Sequence, residues 1–472
     1  MFPADSTAEV ENEKSARGIL TTVQSSFVQA MDYCFNNAKH TKGIQKMKPF
    51  FIILIGIMLV PASWANDDHK PYDYPFVNSY EATVIGTPEM YKAEIPQNAR
   101  VKQMELTVFK DRKIPDIFWY SQKLRYSLAF QEKKAPMIIN IAGTGAAYDS
   151  TKMRFMQTAF YNAGFHVLSL SSPTHPNFII TASESMVPGH IEEDSRDLYR
   201  VMQLAWDQVR DKVDVSEFYL TGYSLGGAQS AFVARRDETE KKFNFKKVLM
   251  INPPVSLFNS VILLDELLEE NVPGGADRID LFFDEVYQKI TGVYSSQTRL
   301  DLSDPDLLYN LYKKNPPKET TLAAIIGISF RMSSSNMLFV SDIMSGGNFI
   351  VPSNQKLTVT TSLTDYGIVA FRTSFEDYFN DAFFPYFRER QPGLTKQALI
   401  DQTSLESIAE YLEKTEKISV ITNEDDIILK QGEIDFFRNC FGKRALIYSV
   451  GGHCGNMEHQ KNVEQMIHFF KE

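Results

Sequence analysis

Apolar and polar residues alternate along two early segments of the chain, 101–109 and 124–130. Side chains on a strand point alternately to the two faces of a sheet, so this pattern predicts half-buried antiparallel strands. The next apolar segment, 136–142, is almost continuous and ends in Gly143-Thr144-Gly145. A continuous apolar run is typical of a parallel strand that is buried on both faces.

Predicted helices and strands then alternate as far as residue 252. A long helix is expected at 192–213, because its apolar residues recur every three or four positions along one face. Such alternation predicts a parallel sheet with helices on both faces. The other predicted elements of this stretch are a helix at 149–162 and strands at 163–170, 218–223 and 246–252.

The alternation stops at Pro253-Pro254. Residues 255–415 are predicted to be mostly helical, apart from a short strand-like stretch at 356–362. Two buried strands then return, at 418–422 and 445–450. The pattern therefore predicts an α/β sheet that is interrupted by a large helical insertion.

The strand at 218–223 runs directly into Gly222-Tyr223-Ser224-Leu225-Gly226. Two glycines around a serine permit a turn so tight that the hydroxyl stands exposed above the sheet edge. This form of a nucleophile elbow resembles the α/β-hydrolase superfamily. The resemblance covers roughly residues 100–255 and 415–472.

The resemblance implies an α/β-hydrolase fold, with a mostly parallel central sheet, helices on both faces and a helical cap inserted after the sixth strand. The core would comprise residues 66–255 and 416–472. Residues 256–415 would form the cap, or lid, over the active site, and this cap would be larger than is usual in the superfamily.

A serine of this kind needs a base to take its proton, and the resemblance places the catalytic histidine late in the chain. Three histidines follow Ser224: His453, His459 and His468. His453 comes after Gly451-Gly452, immediately past a buried strand, where the catalytic histidine of this fold belongs. The other two fall in an amphipathic run that is predicted to be the closing helix.

The third member of such a triad is an acid that follows the preceding strand, and two candidates stand there, Asp425 and Asp426. The acid loop of the superfamily has an aspartate, one variable residue and two apolar ones. By that pattern Asp425 is the preferred acid, and Asp426 is the alternative that remains open.

The resemblance also implies an oxyanion hole made of two backbone amides. Leu225, which follows the nucleophile, would supply one of them. Thr144 in Gly143-Thr144-Gly145 would supply the other. Ala142 replaces the histidine of the superfamily's motif at this loop, so one hydrogen bond that anchors the loop is missing.

The sequence gives no sign of a metal site or of any other cofactor. It has no HExxH motif or paired histidine cluster. The glycines after residue 142 lack the third glycine and the acidic partner of a dinucleotide-binding motif. A formal net charge of -10 and a pI near 5.5 argue against a nucleic-acid partner.

Residues 47–65 are predicted to be a secretory signal peptide. Lys48 precedes an apolar run of eleven residues, and Ser63 and Ala65 occupy the small-residue positions of a cleavage site. Residues 1–46 are then either a disordered extension or sequence ahead of a true start at Met47. Cleavage would leave no transmembrane anchor, and the protein would be periplasmic in a Gram-negative cell and secreted otherwise.

Together these features favour an exported serine hydrolase that cleaves carboxylic esters of a small-molecule or lipid-like substrate through an acyl-enzyme on Ser224. An amidase or peptidase with the same triad is the alternative within enzymes, and a non-catalytic binding protein on a hydrolase fold is the alternative outside them. The cap is predicted to favour apolar or aromatic substrates, since it is dense in Met and in aromatic residues, among them Phe282, Phe283, Tyr287, Tyr309, Tyr312, Met337, Phe339, Tyr378, Phe379 and Tyr386.

The two cysteines beyond the signal peptide, Cys440 and Cys454, are predicted to remain free thiols. The final strand would separate them by about 20 Å at about 3.3 Å per residue, far more than a disulfide can bridge.

Overall fold

The computed structural model describes residues 72–279 and 316–472, together with Tyr309 and Lys313. The predicted amino-terminal extension and signal peptide therefore lie outside the described residues. So do four of the cap aromatics, namely Phe282, Phe283, Tyr287 and Tyr312.

Eight strands form one sheet in the order β1-β2-β4-β3-β5-β6-β7-β8. β2 is antiparallel to both β1 and β4, and the neighbouring pairs from β4 to β8 are parallel. This topology, with helices packed on both faces, confirms the predicted fold class. The strands are β1 (Val101–Leu106), β2 (Leu124–Ala129), β3 (Ala135–Ile141), β4 (His166–Leu170), β5 (Val215–Tyr223), β6 (Lys247–Ile251), β7 (Ile418–Asn423) and β8 (Ala445–Tyr448).

Burial explains the continuous apolar runs. Successive residues of β3 face opposite sides of the sheet, and Ile138 and Ile139 enter different apolar clusters while both are fully buried. The helices of the core are α1 (Ser79–Ile85), α2 (Thr151–Asn162), α3 (Pro176–Thr181), α4 (Ile191–Val209), α5 (Leu225–Glu240), α13 (Glu433–Phe441) and α14 (Gln460–Lys471).

The described residues between β6 and β7 are largely helical. The helices are α6 (Leu257–Asn271), α7 (Glu319–Ser345), α8 (Thr364–Arg372), α9 (Phe375–Tyr378), α10 (Phe384–Arg390), α11 (Lys396–Gln402) and α12 (Ala409–Lys414), with a π-helical turn at Phe379–Phe383. We call residues 256–415 the cap.

Two cap helices cross at a glycine. A Cβ atom on Gly327 of α7 would lie 2.3 Å from the Leu268 backbone nitrogen of α6, so the close approach needs glycine. Near the crossing, the fully buried guanidinium of Arg331 donates to Asp265 at 2.7 Å. The Asp265 carboxylate also accepts the Phe375 N–H at 2.6 Å, and these bonds hold α6, α7 and α9 together.

The long helix α7 is apolar enough to cross a membrane by length and composition, with a mean hydropathy of 1.3 over its most apolar window. However, 61% of that window is buried inside the protein. Burial of this extent is that of a core helix.

The strand-like stretch predicted at 356–362 is not a strand. Most of its side chains are exposed, and it forms a turn in which Thr361 Oγ1 accepts the Thr358 N–H at 2.9 Å. A β-rich composition without a neighbouring strand edge does not suffice to form a sheet.

Candidate active site

The turn between β5 and α5 places Ser224 at the carboxyl edge of the sheet. Its backbone has φ 53° and ψ -128°, a strained conformation for a residue with a side chain. The neighbouring glycines permit the turn. A Cβ on Gly222 would lie 2.3 Å from the Gly226 carbonyl oxygen, and one on Gly226 would lie 2.4 Å from that of Ile141.

His453 meets this serine from the loop after β8. The distance between its Nε2 and the Ser224 Oγ is 2.9 Å, although the two residues are 229 positions apart. The other two histidines lie elsewhere: the His459 ring makes a T-shaped contact with the ring of Tyr72, and His468 pairs with Glu472. Of the three candidates, His453 is therefore the one that contacts the serine.

The acid beside His453 is Asp426, and the preference for Asp425 is wrong. Nδ1 of His453 lies 2.9 Å and 3.2 Å from the two carboxylate oxygens of Asp426. The reason is a turn after β7, in which the Asp426 N–H donates to the Asn423 carbonyl. This turn brings position 426, rather than position 425, back over the sheet edge.

Asp426 is held in place by further donors. Asn252, directly after β6, donates its side-chain amide to Asp426 Oδ2 at 2.8 Å, and the Ile428 N–H donates to Oδ1 at 3.2 Å. The Asp426 side chain is completely buried. A buried carboxylate that accepts several hydrogen bonds has a fixed orientation.

Asp425 faces the backbone of the histidine loop instead. Its two carboxylate oxygens accept the N–H groups of Gly451 at 3.2 Å and Gly452 at 2.9 Å. Burial raises the pKa of Asp425 to about 6, against the opposite effect of these two hydrogen bonds. Asp425 therefore shapes the loop that carries His453.

The electrostatics of His453 come from burial, from Asp426 and from Cys454. Burial alone lowers the pKa of His453, but the adjacent Asp426 carboxylate stabilises the imidazolium, Cys454 adds to this effect, and the net result is a pKa above the ordinary value. The same carboxylate favours a proton on Nδ1, which leaves Nε2 free to accept the serine proton.

The loop after β3 forms a β-turn beside the serine. The Ala146 N–H donates to the Gly143 carbonyl at 3.0 Å, and Gly145 has φ +67° at the third position of the turn. A Cβ on Gly143 would lie 3.1 Å from the Ser224 Cβ, so this loop passes close beside Ser224.

Among the amides of this turn, the Thr144 N–H differs from its neighbours. The Ala146 N–H closes the turn, and the Gly145 N–H donates to Thr174 Oγ1 at 2.7 Å. The structure gives the Thr144 N–H no acceptor among the described residues. At the elbow, Leu225 is the first residue of α5, so its N–H has no partner within the helix.

Sequence reasoning missed the amino-terminal contribution to the histidine loop. Thr83 on α1 accepts the His453 N–H at 2.9 Å through its hydroxyl, and Tyr72 donates its hydroxyl to the Val450 carbonyl. A Cβ on Gly455 would lie 2.1 Å from the Ala82 carbonyl oxygen. Neither Thr83 nor Tyr72 belongs to a motif, so no signal in the sequence points to this contact.

Sequence reasoning also missed the contact of Asn252 with the acid, although the position of Asn252 in the sequence offers a signal for it. The strand before the cap ends in Asn252, at a position where the superfamily sometimes carries its acid. The residue at that position contacts the acid in place of supplying it. In the described part of the chain, no cluster of three His, Cys, Asp or Glu side chains could hold a metal ion.

Comparisons with known proteins return distant structural similarities. No protein-family model matches the chain, and no curated protein sequence matches it. An esterase from Pyrococcus furiosus is similar with a TM-score of 0.38 and 11% identity, over 80% of this chain and 97% of that one. Carboxyl esterase 2 from Tuber melanosporum has a TM-score of 0.39 and 13% identity, over 86% and 94%.

A putative dipeptidyl aminopeptidase IV from Bacteroides ovatus is similar at nearly the same level, with a TM-score of 0.36 and 12% identity, over 79% of this chain and 36% of that one. Similarities this low transfer no activity to this chain. Its function has to be inferred from the arrangement of its own residues.

Proposed function

We propose that this protein is a serine hydrolase that cleaves carboxylic esters through an acyl-enzyme on Ser224. The observation that carries the proposal is the continuous chain from Ser224 Oγ through both ring nitrogens of His453 to Asp426. These three groups, with the strained elbow that exposes the serine, are the parts that nucleophilic acyl transfer requires.

In the first half of the reaction, Ser224 Oγ attacks the ester carbonyl while His453 Nε2 takes its proton. The carbonyl oxygen becomes an oxyanion, which accepts hydrogen bonds from the Leu225 and Thr144 amides. His453 then gives the proton to the leaving alcohol as the carbon–oxygen bond breaks, and the acyl group remains on the serine.

In the second half, a water molecule loses its proton to the same nitrogen and attacks the acyl carbon. The tetrahedral intermediate collapses, His453 protonates Ser224 Oγ, and the carboxylic acid leaves. Asp426 keeps the ring oriented and stabilises the imidazolium that forms in each half.

Incubation of the folded protein with a fluorophosphonate probe tests this proposal. We expect covalent labelling of the wild type and none of Ser224→Ala. Ser329→Ala is a matched control, because Ser329 is a partly buried cap residue whose hydroxyl donates to the Ile325 carbonyl of its own helix. Folded wild type that takes up no probe would contradict the enzyme proposal and favour a binding protein.

An ester and an amide that carry the same acyl group distinguish an esterase from an amidase or peptidase. We expect the ester to be turned over much faster, since an amine is the poorer leaving group. Preferential cleavage of the amide would identify an amidase or peptidase with the same residues.

We also propose that the protein is exported, on the basis of the signal-peptide pattern at 47–65. Amino-terminal sequencing of the protein recovered from the periplasm or medium should begin at Asn66. Retention of residues 47–65 in that fraction would contradict cleavage.

A further inference from the structure

The loop that carries Thr144 is intrinsically flexible, because a glycine stands on each side of that residue. An oxyanion donor is effective only if its N–H already points at the position where charge develops. The histidine that anchors this loop in the superfamily is absent here, since Ala142 stands in its place. Something else must restrict the loop.

The segment that follows β4 lies beside this loop. β3 and β4 are parallel neighbours, so their carboxyl ends emerge at the same edge, and the Ala142 N–H donates to the Leu170 carbonyl at 3.1 Å. The next residues are Ser171, Ser172 and Thr174. All three are almost completely buried, and we call them the hydroxyl clamp.

Each residue of the clamp makes a separate contact with the loop. Thr174 Oγ1 accepts the Gly145 N–H at 2.7 Å. Ser172 donates its N–H to the Ala146 carbonyl at 3.0 Å, and Ser171 Oγ accepts the Tyr148 N–H at 2.9 Å. The clamp therefore makes hydrogen bonds with backbone groups that follow Thr144 in the loop, but not with the Thr144 N–H itself.

Thr174 is itself held in place. Its hydroxyl makes a hydrogen bond of 2.9 Å with the Ser172 hydroxyl, and Ser172 Oγ also accepts the Thr174 N–H at 3.3 Å. From the cap side, Ser333 of α7 packs so closely that a Cβ on Gly145 would lie 1.8 Å from its Oγ. Gly145 is thus fixed between the clamp and the cap.

We propose that Thr174 is a positioning residue of the reaction, which orients the Thr144 amide toward the oxyanion by holding the Gly145 N–H. The proposal rests on the proposed hydrolase function. Thr174 touches no reacting atom, and its effect passes through the backbone of the loop.

Kinetics of Thr174→Val test the proposal, because valine keeps the shape of threonine and removes only the hydroxyl. We expect kcat for an ester to fall by about 10- to 100-fold, part of the loss that follows removal of a whole oxyanion donor. KM should change by no more than about threefold, since ground-state binding does not use the oxyanion contact. Thr174→Ser, which restores a hydroxyl, should recover most of kcat.

Two further readouts separate positioning from general structural damage. Affinity for a trifluoromethyl ketone, which forms a tetrahedral adduct on serine, should fall by the same factor as kcat. Thr181→Val is the matched control, because Thr181 is equally buried on the adjacent α3 but bonds to the Asn177 carbonyl, away from the loop. It should leave both kcat and inhibitor affinity unchanged.

An unchanged kcat in Thr174→Val, or an equal loss in Thr181→Val, would overturn the proposal. If Thr174→Val does not fold, Ser172→Ala decides, and a kcat equal to that of the wild type would overturn it as well. If the wild type neither cleaves esters nor takes up the fluorophosphonate, the proposed function fails and the catalytic role of Thr174 fails with it. Amide hydrogen exchange of residues 143–146 that is faster in Thr174→Val than in the wild type would then show only that Thr174 restricts the loop through its bond to the Gly145 N–H.

Discussion

Asp425 and Asp426 are chemically identical neighbours with different partners. Asp426 contacts the His453 ring, whereas Asp425 contacts the backbone amides of Gly451 and Gly452, the two residues before His453. A carboxylate on the ring sets its tautomer and stabilises its charge, whereas a carboxylate on the backbone sets only the position of the loop.

Exchange of each aspartate for asparagine should therefore give unequal losses. In Asp426→Asn the amide can no longer stabilise the imidazolium, and we expect kcat/KM to fall by about 10³- to 10⁴-fold. In Asp425→Asn one carbonyl oxygen still accepts a backbone N–H, so the expected loss is about tenfold or less. Ester hydrolysis by the two purified variants measures the difference, and a larger loss in Asp425→Asn would reverse the assignment.

The pH dependence of the reaction follows from the raised pKa of His453. The base acts in its neutral form, so kcat/KM should decline as the pH falls through this pKa, at a higher pH than an ordinary histidine would give. Asp426→Asn removes the charge that contributes most to the raised pKa, so the decline should move to lower pH. A pH–rate profile with the decline at the same pH in both proteins would contradict this origin of the shift.

At this scale the sequence predicted the contact between Ser224 and His453 but not the choice between adjacent aspartates. The elbow and the position after a final strand are local patterns that can be recognised along the chain. Asn252 bonds to Asp426, whereas the Gly451-Gly452 backbone bonds to Asp425, and all three partners lie far away in sequence. No local pattern encodes which of two neighbouring carboxylates meets them.

Among the elements of the fold, the cap lies against the elbow through an apolar cluster. Leu225, the residue after Ser224, packs with Leu257 and Val261 of α6. Two rings that are only partly buried, Phe330 of α7 and Phe375 of α9, pack against the same cluster.

This cluster leads to a prediction about substrates. Phe330→Ala should reduce kcat/KM for an aryl or medium-chain ester by about tenfold or more, and should affect an acetate ester much less, because only the larger group loses apolar contact. Phe349→Ala is the matched control, since Phe349 is also partly buried but packs in a different cap cluster. A preference of the wild type for short, charged esters would contradict the prediction.

The elements themselves were largely predictable, and their ends were not. The buried strand expected at 136–142 is Ala135–Ile141, whereas the helix expected at 192–213 ends at Val209. Val213 continues the apolar spacing of the helix, but residues 210–212 are charged and form a turn, and Val213 enters the core just before β5. Periodicity detects the buried face of a segment and does not detect where the backbone must change direction.

For the whole molecule, the two cysteines give a test of the strand arrangement. Cys440 on α13 precedes β8 and Cys454 follows it, and both are buried free thiols, as predicted. The mature protein, denatured without a reductant, should therefore titrate with two thiol groups. No reactive thiol, together with a mass about two daltons low, would indicate a disulfide and contradict this placement of β8.

The contact of α1 with the histidine loop has a consequence for how activity is acquired during folding. The elbow and its glycines lie within five residues of one another, so the nucleophile can take its shape early. The hydrogen bond from His453 to Thr83 spans 370 residues, and that from Tyr72 to Val450 spans 378. Contacts between such distant segments are slow to form, because a long loop must close before they are made. A growing chain would thus carry Ser224 without a positioned base while the next 229 residues are made, and would remain inert until α1 and the histidine loop had met.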